Sequence, residues 1–194
     1  MQLKLATDHI LRRISTEFPE GLFYHDASHT LDVIRAASRL CRMECTGPGD
    51  RDLIHTAAAF HDAGFITSYD GHETQSIRLA EEILPGYGYD AEQIRIITHS
   101  IRATEAGAVP DNLFSRILCD ADLDYLGRTD FIPVSQRLRK EWALRGTVYT
   151  ERDWLLAQLN FLTGHCYYTA SARILRGPGK EANIRILRQS IASL

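Results

Sequence analysis

AAAFHDAGFITSYDGHE, residues 57–73, puts an imidazole and a carboxylate side by side at the end of an alanine-rich run. On a helix, His61 has Ala57, Ala58, Ile54 and Leu53 one and two turns behind it, which is a burial stripe. Asp62 lies about 100° around, beside Ala58 and Ala59. Alanines let a second helix come close, so both polar heads end in a tight interior space. Gly64 then allows the backbone to turn away. Burying such groups without partners costs about 1–3 kcal/mol each. Both a structural His–Asp hydrogen bond and a chemical site satisfy that constraint.

Working outward, helical periodicity dominates, and there is no alternating strand pattern and no internal repeat. Prolines mark the joints, giving expected helices at about 3–18, 28–44, 50–62, 73–84, 90–104, 111–126, 131–146, 150–163, 167–176 and 180–192, with a break at Gly177-Pro178-Gly179. Asp90 with Gln93 reads as a capping box, and Asp111-Asn112 offers caps after Pro110. The expectation is an all-α fold, one helical domain over residues 1–194. A chain of 194 residues needs no staples to hold its core. The net charge of −3 excludes a nucleic-acid partner held by a general positive field. Cys41, Cys45, Cys119 and Cys166 form no CxxC pair and read as reduced core thiols. No apolar run approaches membrane-spanning length and the N-terminus lacks a signal-peptide pattern, so the expected location is cytoplasmic, away from the membrane.

Other polar residues fall on apolar faces. His29 shares one with Val33, Ala36 and Leu40, and His25 precedes it by four residues. Asp122 has Leu118 before it and Tyr125 and Leu126 after it, so it should point inward. Asp120, with Arg116 and Asp124 one turn away on either side, reads as part of a solvated face. His72 sits at a loop-to-helix junction, and His99 lies off the Ile94–Ile97–Ile101 stripe.

In the order His29, His61-Asp62, Asp122, the chain resembles the HD-domain superfamily of metal-dependent phosphohydrolases, from about Tyr24 to Gly127. The resemblance implies that His29, His61, Asp62 and Asp122 are metal ligands. His72 and His99 stand where some members hold a second ion, with Asp62 then bridging the two. Imidazole and carboxylate donors suit divalent iron, manganese, cobalt, nickel, zinc or magnesium. His25 is similar in position to the histidine that protonates the leaving oxygen in the family's cyclic-nucleotide phosphodiesterases. The activity implied is hydrolysis of a small phosphorylated substrate, a phosphate ester or a nucleotide, by a metal-activated hydroxide. The same scaffold implies an alternative, a mixed-valent di-iron oxygenase acting on an organophosphonate or related small molecule.

The chain departs from the pattern at Phe65, where several dinuclear members carry lysine, and it lacks the GYP signature of the cyclic di-GMP-cleaving branch. Past Gly127, Arg173, Arg176 and Lys180 share helical spacing and form a candidate phosphate-binding cluster. His165 and Lys180 are the expected substrate contacts.

Overall fold

The computed structural model describes residues 1–44 and 46–194. Among them are nine α-helices, three 3-10 turns and no strand. The helices are α1 (Leu3–Glu17), α2 (Ala27–Met43), α3 (Pro48–Phe60), α4 (His72–Ile83), α5 (Ala91–Arg102), α6 (Leu113–Asp122), α7 (Phe131–Leu144), α8 (Glu151–Gly164) and α9 (Ala170–Ala192). The 3-10 turns are Ala63–Ile66, Leu84–Tyr87 and Asp124–Gly127.

The alanine-rich helix α3 lies at the centre, packed by α1, α2, α4, α5 and α6. Ala57, Ala58, Ala59 and Phe60 are buried, and the absence of long side chains is what lets so many helices reach one axis. Pro48 starts α3 at the position where a missing N–H costs nothing, two residues earlier than the pattern predicts. The Asp90–Gln93 capping box forms on α5, and Asn112 caps α6 by accepting the Ser115 amide.

Two sequence expectations are corrected here. The Gly177-Pro178-Gly179 stretch does not break the chain: α9 runs through it, with Pro178 inside. Its glycines serve an interhelix contact instead. A Cβ on Gly179 would lie 2.0 Å from the Gly127 carbonyl oxygen, and one on Gly127 would lie 2.3 Å from that of Arg176. The α9 backbone therefore rests directly on the 124–127 turn, and Asn183 Nδ2 donates to the carbonyls of Leu126 and Arg128 at 2.9 Å each. The cysteine reading is half right. Cys41 and Cys119 are buried free thiols, but Cys166 is exposed because it sits in the connection between α8 and α9. Cys45 lies outside the described residues.

Candidate metal centre

Each donor arrives by its own local device. Asp26 caps α2 by accepting the His29 amide at 2.9 Å, which places His29 in the first turn. His61 follows the last residue of α3, and Asp62 leads into the 63–66 turn. Gly64 works by contact as much as by turning: a Cβ there would lie 1.9 Å from the His72 carbonyl oxygen. That closeness sets α4 against the turn and brings its first residue, His72, toward Asp62. Asp122 ends α6.

These segments converge. His29 Nε2 lies 3.1 Å from Asp122 Oδ1 and 3.4 Å from Asp62 Oδ2. His61 Nε2 lies 3.1 Å from Asp62 Oδ2 and 3.6 Å from Asp122 Oδ1. One donor atom from each of His29, His61 and Asp122 falls within 4.8 Å of the others. His72 Nε2 faces the other oxygen of Asp62, Oδ1, at 3.5 Å.

The orphaned atoms are the informative ones. His29 Nε2, His61 Nε2 and Asp62 Oδ2 are buried without a hydrogen bond of acceptable geometry, despite those short separations. Three unsatisfied polar atoms aimed at one point would be expensive in a purely structural cluster. The donor set therefore fits a divalent cation. His61 Nδ1 donates to the Ala58 carbonyl at 2.9 Å, which turns Nε2 toward the cluster. Burial disfavours charge on both imidazoles, yet the flanking carboxylates prevail: His29 is raised to about 9, and His61 also rises well above its ordinary value. Asp62 and Asp122 resist the upward push of burial, and the histidines hold them below the usual carboxylate range.

Beside the cluster, His25 is gripped by a residue that sequence reading missed. Glu141, fully buried on α7, accepts the amides of Tyr24 and His25 at 2.9 and 3.2 Å. Its Oε1 meets His25 Nδ1 at 2.5 Å and accepts the Tyr69 hydroxyl at 3.0 Å. Burial alone would raise Glu141; the His25 ring and these amides outweigh it and lower it. The signal was available: Glu141 continues the apolar stripe Phe131, Val134, Leu138. Phe65 stacks on His72 at 3.9 Å between centroids and packs against the His25 ring at 4.6 Å, so it supports both imidazoles.

Of the remaining expected residues, His99 and Lys180 lie away from the cluster, while His165 lines a cavity that adjoins it. His99 is exposed at the end of α5, its Nε2 2.8 Å from Asp111 Oδ1. Lys180 is buried and donates to the His165 carbonyl. Arg176 forms a two-bond pair with Asp124 at 2.8 and 2.9 Å, and Arg173 donates to the Tyr168 and Thr169 carbonyls. The basic trio is thus committed to internal partners. Asp120, expected on a solvated face, is instead buried: its oxygens accept the amides of Tyr168 and Thr169 and the Thr169 hydroxyl at 2.7–2.8 Å. Counting neighbours along α6 could not reveal partners that arrive from the start of α9.

A cavity of about 390 Å³ opens over the cluster, lined by His25, Asp62, His72 and Asp122 and by aromatic side chains of α7 and α8. A second, of about 510 Å³, adjoins it and includes His165. Both fall in the size range of small-molecule sites.

Residues 26–124 match the sequence profile of the HD domain. An uncharacterized protein of Clostridium beijerinckii is 36% identical over 80 residues, 40% of this chain, and the match spans about half the length of that relative. Bacillus subtilis YpgQ, solved in complex with ADP, superposes with a TM-score of 0.72 at 17% identity, covering 100% of this chain and 97% of that one. A predicted HD superfamily hydrolase from an uncultured Thermotogales bacterium gives 0.67 at 20% identity, covering 99% and 92%. A Lactobacillus plantarum protein gives 0.70 at 15% identity, covering 100% and 98%. These three likenesses are of fold.

Proposed function

The chain belongs to the HD-domain family, and from that premise we propose that it is a divalent-metal-dependent hydrolase of phosphate esters. The observation that carries this reading is the convergence of unsatisfied Nε2 and Oδ2 atoms from His29, His61 and Asp62 on one point beside Asp122. His29, His61, Asp62 and Asp122 would hold one cation. A bound divalent ion supplies Lewis acidity toward a phosphoryl oxygen and lowers the pKa of a water molecule. The chain supplies the rest. His25, fixed by Glu141 through its Nδ1, lines the same cavity and presents its ring to a leaving oxygen that needs a proton. Phe65, buried behind the two rings, braces His25 and His72, and aromatic side chains line the cavity beside them. A second ion, as the family resemblance implies, would draw on Asp62 Oδ1 and His72, and His99 would have to leave Asp111 to join it.

YpgQ holds ADP, which puts nucleotides among the candidate substrates. The test combines metal analysis with assays of bis-p-nitrophenyl phosphate, phosphate monoesters and nucleotides under manganese without oxygen. Turnover in the absence of oxygen is expected. Turnover only with oxygen and iron would replace this reading with the oxygenase one, and full activity in Asp62→Ala would remove the assigned site.

A further inference from the structure

The two cavities meet at the proposed metal ligand Asp122 and share Thr104, Ala106, Leu123 and Phe161, so together they form one elongated chamber. Among the described residues, no lysine or arginine lines either part. The nearby basic side chains are engaged elsewhere. Lys180 points to the His165 carbonyl, Arg173 to backbone carbonyls and Arg176 to Asp124, while Arg128 and Arg137, which line a separate small cavity behind His29 and Asp122, pair with Asp32 and Asp130 and with Asp26. Arg145 lies over the Tyr69 ring at 3.6 Å and lines a different cavity. The charged side chains that do face the chamber beyond the ligands include Glu73 and Glu105.

The charge balance follows. A single divalent cation held at this centre would be neutralised by the two carboxylates, Asp62 and Asp122. One phosphoryl group would be held there by direct coordination to the ion. A further phosphate would be pushed into a chamber with no cation and two carboxylates, and unpaired charge is costly to desolvate. Sites that grip polyphosphates carry arginine and lysine for this reason. The outer walls offer something else. Phe161 and Tyr168 are 46% and 39% exposed, large aromatic surfaces open to the chamber, with Trp142 and Tyr149 lining its inner part. His165, lowered to about 4 chiefly by burial and then by Lys180, adds a neutral ring stacked beside Phe161.

We propose that the substrate is a monoester carrying one phosphoryl group on an uncharged apolar or aromatic organic group, and that the chamber discriminates against nucleoside polyphosphates. This rests on the phosphoester-hydrolase reading above. In the reaction, water adds to phosphorus, the P–O bond to the organic group breaks, and the leaving oxygen takes a proton, giving inorganic phosphate and an alcohol or phenol. The chamber wall from Leu123 to Tyr168 holds the organic group.

The experiment measures binding to the manganese-loaded protein by calorimetry and tryptophan fluorescence, independently of turnover. The probes are 1-naphthylmethylphosphonate and the α,β-methylene analogue of ADP. The phosphonate is expected to bind at least about 10-fold more tightly, within the discrimination an apolar pocket can give. Ala106→Arg, which places a cation on the shared wall, should tighten the nucleotide analogue about 10-fold, the effect of one new charge-assisted contact. Equal or tighter binding of the nucleotide analogue by the unmodified protein, or no binding of the phosphonate, overturns the proposal. Hydrolysis is scored separately with 1-naphthyl phosphate and ADP. A retained binding preference with no hydrolysis of any ester sinks the hydrolase reading alone; efficient hydrolysis with ADP preferred sinks only the substrate assignment.

Discussion

A carboxylate sealed from water, Glu141 binds both the amide and the ring of His25. Glu141→Gln keeps the shape but loses the charge, and kcat/KM should fall about 10–100-fold with metal content unchanged, as for other groups that orient an active-site histidine. His25→Ala should cost about 10²–10⁴-fold, the usual contribution of a proton donor. Because the folded protein holds Glu141 below the ordinary value of 4.5, its charge favours the fold above that value. That contribution disappears as pH falls through the lowered folded value, so acid unfolding followed by circular dichroism should be less steep in the Gln variant. His99→Ala, by contrast, removes an exposed pair and should leave both metal content and hydrolysis near wild type; loss of a second ion on this substitution would restore His99 to the centre. The convergence of His29, His61, Asp62 and Asp122 was legible because each sits on or at the end of an apolar stripe, where a polar atom demands a reason. Glu141 sat on such a stripe too and was passed over, while Asp120 was misread because its partners come from another element.

Among the elements, helix existence followed from periodicity, proline and caps, but continuity did not. Local propensity treats Gly177-Pro178-Gly179 as a stop; the backbone contact between Gly179 and Gly127 makes it an interface. Gly179→Ala should destabilise by about 3 kcal/mol, the upper part of the overpacking range. For a chain this size that is roughly a 6–12 °C drop in Tm, readable by calorimetry. Gly64→Ala meets a backbone carbonyl just as directly, and its effect should reach the site as well. Forcing the 63–66 turn away from α4 separates His72 from Asp62. Metal titration should then show weakened binding along with a lowered Tm, whereas Gly179→Ala lowers Tm with less change in metal affinity.

For the whole molecule, a cation that binds only the folded state raises stability by mass action. Manganese at about 100 times its Kd should add about 2.7 kcal/mol, and a chelator should reverse the gain. Asp62→Ala should abolish that response while the protein remains folded. The shared chamber draws its floor from residues 24–125 and the rest of its wall from residues 138–168, so substrate choice could not be read from the metal motif alone. One buried carboxylate ties those halves together. Asp124, the last residue of the HD-domain match, takes Arg39 from α2 and Arg176 from α9. The boundary between the HD-domain match and the rest of the chain is therefore a welded seam. A chimaera that exchanges the tail for a relative's would inherit the new chamber only if its graft brought along a guanidinium able to replace Arg176.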